Sequence, residues 1–144
     1  MVNFKVRLDT PFEEGTLDEE FFIDLPKMNT EQKKALARFI KKTTSGESLP
    51  GKNKPSHLDD NLNKISGTDN YENGGYWHYH CGLNYSPSSK FSMTFDLGTN
   101  LNGSTSAEVI HYIKESNNEV LVVGFSPKHI PFPNSDWDYN PLFD

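Results

Sequence analysis

One cysteine, Cys81, stands in a chain of 144 residues, so no disulfide forms within it, and a reducing compartment is the fitting environment. No apolar stretch comes near the roughly 20 residues of a membrane-spanning helix. The opening Met1-Val-Asn-Phe-Lys-Val-Arg-Leu8 lacks the apolar run of a secretory signal, and the expectation is a cytoplasmic protein with no membrane partner. Internal repeats are absent as well. The length suits a single domain with a real core, residues 1–144, in which 130–144 reads as an irregular acidic tail.

Positive charge is also scarce. The formal net charge is −6, and the deficit lies at the two ends. Residues 1–28 carry three lysines and arginines against seven acids, and residues 115–144 carry one against five, whereas 29–114 carries ten against eight. A repulsive total counts against tight non-specific binding of RNA or DNA, and any phosphate contact has to come from the middle of the chain or from the sheet beside it.

What the chain does have is histidine on strand-like sequence. In Tyr76-Trp-His-Tyr-His-Cys-Gly82 an extended backbone puts His78 and His80 on one face and Trp77, Tyr79 and Cys81 on the other. Ala107 to Lys114 and Glu119 to Ser126 read as two strands joined by Glu115-Ser-Asn-Asn118. That hairpin is expected to carry His111, Lys114 and, just past its end, Lys128 and His129 towards the first pair, gathering four of the five histidines in one region.

Elsewhere, Val2, Phe4, Val6 and Leu8 alternate with polar residues as in a half-buried first strand. Residues 9–24 read as a loop followed by a short extended segment, with Pro11 and Gly15 as breakers and Phe21-Phe-Ile23 as its apolar cluster. Asn29 and Gln32 have the spacing of a capping box, and they open a helix whose buried stripe is Ala35, Leu36, Phe39 and Ile40. Its opposite face, with Lys34, Arg38 and Lys41, reads as solvated. Ser56 to Ile65 reads as a short helix with Leu58, Leu62 and Ile65 inward and His57 near its start. Asn73-Gly-Gly75 turns the chain into the histidine strand, and Phe91 to Phe95 is a further candidate strand within a long polar excursion.

The order strand, helix, loop, then GGYWHYHCG and AEVIHYIKESNNEVLVVGFSPKH, resembles the RelE/ParE superfamily of bacterial toxins, and within it the YafO type. The likeness rests on His78-Tyr-His80, the excursion from Phe91 to Ser106, the hairpin from Val109 to Phe125 and the final Pro127-Lys-His129. It implies an α+β fold, a small twisted antiparallel sheet with one or two helices packed on one face and a cleft on the other. It further implies a toxin of a type II toxin–antitoxin system that cuts messenger RNA in the ribosomal A site, with a cognate antitoxin covering the cleft, no cofactor, and DNA only through that antitoxin. Toxins that bind ribosomes are generally basic, and this chain is acidic.

RNA cleavage without metal needs a base for the ribose 2′-hydroxyl, an acid for the leaving 5′-oxygen and positive charge on the phosphorane between them. Histidine suits both proton roles near neutrality, its ordinary pKa being about 6.5. The expected proton-transfer pair is His80 and His129, with His78 or His111 in support, Lys114 or Lys128 holding phosphate, and Tyr79 or Tyr112 stacking a base. Each has a structural counterpart: tyrosines on strands usually serve the core, and His78 and His111 sit among apolar neighbours. Two other classes fit the same residues. His-x-His with two further histidines has the ligand logic of a zinc or iron site, and an acidic single domain suits an immunity protein or antitoxin that masks a basic nuclease.

Overall fold

The computed structural model describes residues 2–83, 85, 92–128, 134–137 and 139–143. Five strands form one sheet in the order β1-β5-β4-β3-β2, with β1 at Lys5–Leu8, β2 at Asn53–Pro55, β3 at Tyr76–His80, β4 at Val109–Ser116 and β5 at Glu119–Ser126. Among the described residues three α-helices accompany it, α1 at Thr10–Glu14, α2 at Thr30–Thr44 and α3 at Asp69–Gly74, with a 3-10 turn at Leu25–Lys27. The α+β class read from the sequence holds, and the sheet is mixed: β1 runs parallel to β5, with Lys5 opposite Glu119, while the other three ladders are antiparallel.

The long helix forms where its capping signal lies. The Asn29 side chain accepts from the Gln32 backbone N–H at 2.8 Å, and the Gln32 side chain accepts from the Asn29 N–H at 2.9 Å. Two of the otherwise unmatched N-terminal donors are satisfied in this way. Ala35, Leu36 and Phe39 are buried against the sheet, the Phe39 ring lying 5.4 Å from Tyr79 and 5.6 Å from Tyr112. Around them Phe4, Met28, Leu49, Ile110, Val120, Val122 and Phe125 complete the apolar core.

Three local expectations change. Residues 10–14 are helical rather than loop, because Pro11 falls in the first turn, where a missing N–H removes no bond. Residues 56–65 form no helix. The Asp59 carboxylate accepts from the N–H groups of Asn61 and Asn63 at 2.8 and 3.0 Å, closing a turn that competes with helix, and Leu62 at its tip has φ +63° and is 49% exposed instead of inward. The helix forms further on, as α3 with Tyr71 inward, and it stops at Gly75, whose φ of +70° suits the left-handed C-terminal turn that launches β3. The candidate strand at 91–95 is reduced to a single bridge between Thr94 and Leu49, and Phe91 lies outside the described residues.

Candidate functional site

Strand alternation divides the sheet into two unlike faces. Trp77 and Tyr79 of β3 and Ile110, Tyr112 and Lys114 of β4 point to the α2 side, whereas His78 and His80 of β3 and His111 of β4 point to the other. His78 and His111 are direct cross-strand partners, and the rings of His78 and His80 lie 5.7 Å apart, edge to face. The expected gathering of His78, His80 and His111 is therefore present. His129 lies outside the described residues.

The other candidates lie elsewhere. Lys114, three positions on from His111, falls on the opposite face, its ammonium 3.7 Å above the Trp77 ring, and burial lowers its pKa. Tyr79 and Tyr112 are core residues: the Tyr79 hydroxyl accepts from the Gly51 N–H at 2.9 Å and the Tyr112 hydroxyl donates to Asn53 Oδ1 at 2.7 Å, and burial raises both phenols well above their usual range. Lys128 is exposed and pairs with Glu20 at 3.2 Å.

In the place of Lys114 and Lys128 the histidines have two lysines from β2 and the residue before it. Lys54 is the cross-strand partner of His78, and the Lys52 carbonyl accepts from the His80 N–H at 2.9 Å, so Lys52, Lys54 and Ser56 share the histidine face. The lysine side chains are only 10% and 9% exposed, and both ammonium groups reach Asp60 Oδ1, at 2.5 and 2.8 Å. Under this double contact Asp60 drops to about pKa 2. Two buried cations share one carboxylate, which leaves this patch of an acidic protein with a positive excess.

Each imidazole is fixed by an oxygen. His80 Nδ1 lies 2.8 Å from the Ser106 carbonyl and 3.3 Å from the Ser106 N–H; the closer carbonyl makes that nitrogen the donor and leaves the lone pair on Nε2, which is buried. His78 Nδ1 is 3.0 Å from Ser56 Oγ, and His111 Nε2 is 2.6 Å from Ser126 Oγ, with the Phe22 ring 5.4 Å from the His111 ring. Burial lowers the pKa of His80 to about 4, with Lys52 and Lys54 adding to the fall against the pull of the Ser106 carbonyl. Burial likewise lowers His111 to about 3. Both are neutral near pH 7, which suits a proton acceptor and an internal packing element respectively.

The rest of the face is covered by α3 and by residues near the end of the chain. Phe143 lies 5.6 Å from Tyr71 and 5.0 Å from Tyr76, Asn140 Nδ2 donates to the Tyr71 hydroxyl at 2.9 Å, and the Leu142 side chain lies over Gly124, where a Cβ would come within 2.9 Å of it. His57 stands apart, its Nε2 3.5 Å from Glu72.

No protein-family model, curated protein or solved structure matches the chain.

Among the described residues no three His, Cys, Asp or Glu side chains are grouped so as to hold a metal ion, and no helix is long and apolar enough to cross a membrane. The other face of the sheet holds a cavity of about 150 Å³ bordered by Phe39, Leu49, Tyr79 and Cys81, where burial raises the pKa of the Cys81 thiol and keeps it protonated. The sequence reading missed Lys52, Lys54, Ser56 and Asp60. The first three alternate with Gly51, Asn53 and Pro55 in a period of two, a strand signal obscured by Pro50-Gly51 and Pro55.

Proposed function

We propose that this chain is a RelE-like toxin, an endoribonuclease that cuts messenger RNA on the ribosome by general acid and base catalysis without a bound cofactor. The observation that carries the reading is the convergence of Lys52 and Lys54 on one carboxylate beside the neutral His80. Such a pair neutralises the phosphate at which charge develops as the 2′-oxygen attacks phosphorus. His80 is assigned the 2′-hydroxyl proton, a role that requires its buried Nε2 to be uncovered as substrate seats. The proton for the leaving 5′-oxygen is assigned on sequence grounds to His129, which lies outside the described residues. Burial is the main reason His80 is held at about 4, and a bound phosphodiester offsets the smaller part that the lysine charges contribute, moving the pKa upward. A cytoplasmic location and a cognate antitoxin belong to the same reading.

The test is cleavage of a defined messenger RNA, mapped by primer extension with and without translating ribosomes, for the parent protein, Lys54→Gln and His80→Gln. Cuts that depend on ribosomes, leaving a 2′,3′-cyclic or 3′-phosphate and a 5′-hydroxyl, are expected from the parent. Each variant should lose roughly 10²–10³-fold in rate. No cleavage by the parent in either arm overturns the reading. Tight binding to a basic nuclease would then favour an immunity protein or antitoxin, and stoichiometric zinc or iron in the purified protein would favour a metal enzyme.

A further inference from the structure

We propose that Asp60 is a built-in stand-in for substrate phosphate: its carboxylate fills the anion seat formed by Lys52 and Lys54, and a phosphoryl group binds by displacing it. This rests on the reading of the lysine pair as the phosphate seat and adds the competitor that occupies it. Three observations support the exchange.

The first is an asymmetry of burial. The two lysine side chains are about nine-tenths covered, whereas Asp60 is 64% exposed. The cations belong to the wall of the site, and the carboxylate reaches them from the solvent side, the direction from which a ligand arrives.

The second is charge. One carboxylate oxygen serves both ammonium groups, at 2.5 and 2.8 Å. Two buried cations then have one anion between them; a phosphodiester spreads its single charge over two oxygens, and the phosphorane formed from it adds a second charge that the pair can meet. A phosphate also offers an oxygen to each lysine instead of one oxygen to both.

The third is how Asp60 is presented. Its turn is closed by its neighbour: Asp59 Oδ1 accepts from Asn61 and Asn63, and the Asp59 N–H donates to the Asn63 carbonyl at 2.9 Å. Asp60 contributes no side-chain bond to that turn, so its carboxylate can rotate into water while the backbone stays in place. Lys54 on β2 and Lys52 just before it remain anchored against His78 and His80.

An internal competitor lowers apparent affinity in proportion to the time it holds the seat. If Asp60 occupies it nine-tenths of the time, a phosphoryl ligand binds about tenfold more weakly than it would to the empty seat.

Titration with inorganic phosphate by calorimetry tests this on the full chain. Asp60→Asn, which removes the charge and keeps the shape, should bind phosphate roughly tenfold more tightly than the parent. Asp60→Glu, which keeps the charge, should bind as weakly as the parent, and Lys54→Gln should bind more weakly than either. A thermal melt without phosphate establishes that each variant is folded. Asp60→Asn binding no more tightly than the parent overturns the proposal. The unmodified protein gives a second readout that does not depend on a variant folding: at saturating phosphate the Asp60 carboxyl carbon should shift to the value of a solvated aspartate, and an unchanged resonance overturns the exchange. Tighter phosphate binding by Asp60→Asn in a protein that never cuts RNA leaves the exchange standing and removes the nuclease reading. RNA cleavage by a parent whose Asp60 resonance ignores phosphate does the reverse.

Discussion

The side of the sheet under α2 and the side that carries the histidines are built from the same strands, yet they are filled differently. Under α2, Tyr79, Tyr112, Phe39, Ile110 and Phe125 pack as rings and aliphatic chains, with each phenol hydroxyl met by a neighbour. On the other side the rings of Phe22, Tyr71 and Tyr76 share the buried space with imidazoles, ammonium groups and the hydroxyls of Ser56 and Ser126. Close packing of apolar groups is a source of stability, whereas buried polar groups at best offset their own desolvation. A chain that places three histidines and two lysines on one face of a small sheet gives up stability there. The loss makes sense if the face has chemical work to do.

That contrast is open to attack from either side, the apolar face offering the larger effect. Phe39→Ala removes the ring that touches both Tyr79 and Tyr112 and should destabilise the protein by about 3–5 kcal/mol in denaturant unfolding. A loss below about 1 kcal/mol would mean that α2 does not hold the core together in the way its contacts suggest.

A smaller effect belongs to the histidine face and is read by pH. His80 and His111 have folded pKa values of about 4 and about 3, below the ordinary value of about 6.5 that they regain on unfolding. The unfolded chain therefore binds more protons below pH 6.5, and stability falls as pH drops from there to about 4 for His80 and about 3 for His111. The slope is at most about 1.4 kcal/mol per pH unit for each histidine. Asp60, held near pKa 2, stays ionised through most of that window. In urea unfolding at pH 7, 6, 5 and 4, His80→Gln should flatten the slope, and a parent protein equally stable at all four would show that these imidazoles are not buried as neutral groups.

The smallest effect sharpens the comparison by touching neither face. Asn29→Ala removes the capping box and should cost about 1 kcal/mol in urea unfolding while leaving the slope of stability with pH unchanged.

The fold was legible wherever one local signal stood unopposed. The Asn29 and Gln32 spacing, the stripe of Ala35, Leu36 and Phe39, and the alternation along Tyr76 to His80 and through the hairpin all fold as their periodicity dictates. The errors came from competition. Asp59 uses its carboxylate to close a turn where the spacing of Leu58, Leu62 and Ile65 suggested helix, and Pro11 starts a helix where it read as a breaker. Of the candidate site, strand phase alone sufficed to bring His78, His80 and His111 to one face. The lysines were out of reach for a different reason: Lys52 and Lys54 join the histidines through a three-residue strand at the sheet edge, and no local pattern states which strand an edge strand pairs with.

The parallel pairing of β1 with β5 bears on the birth of the molecule. Lys5 to Leu8 are made about 114 residues ahead of their partners, Glu119 to Val122. At about 5–20 residues per second the first strand waits roughly 6–23 seconds before its ladder can close. Throughout that interval its backbone donors and acceptors and the side chains of Val6 and Leu8 have no sheet to join, and non-local pairing of this kind is slow even when both strands are free. Of the ladders in this sheet, the one between β1 and β5 is therefore the one whose strands wait longest for each other.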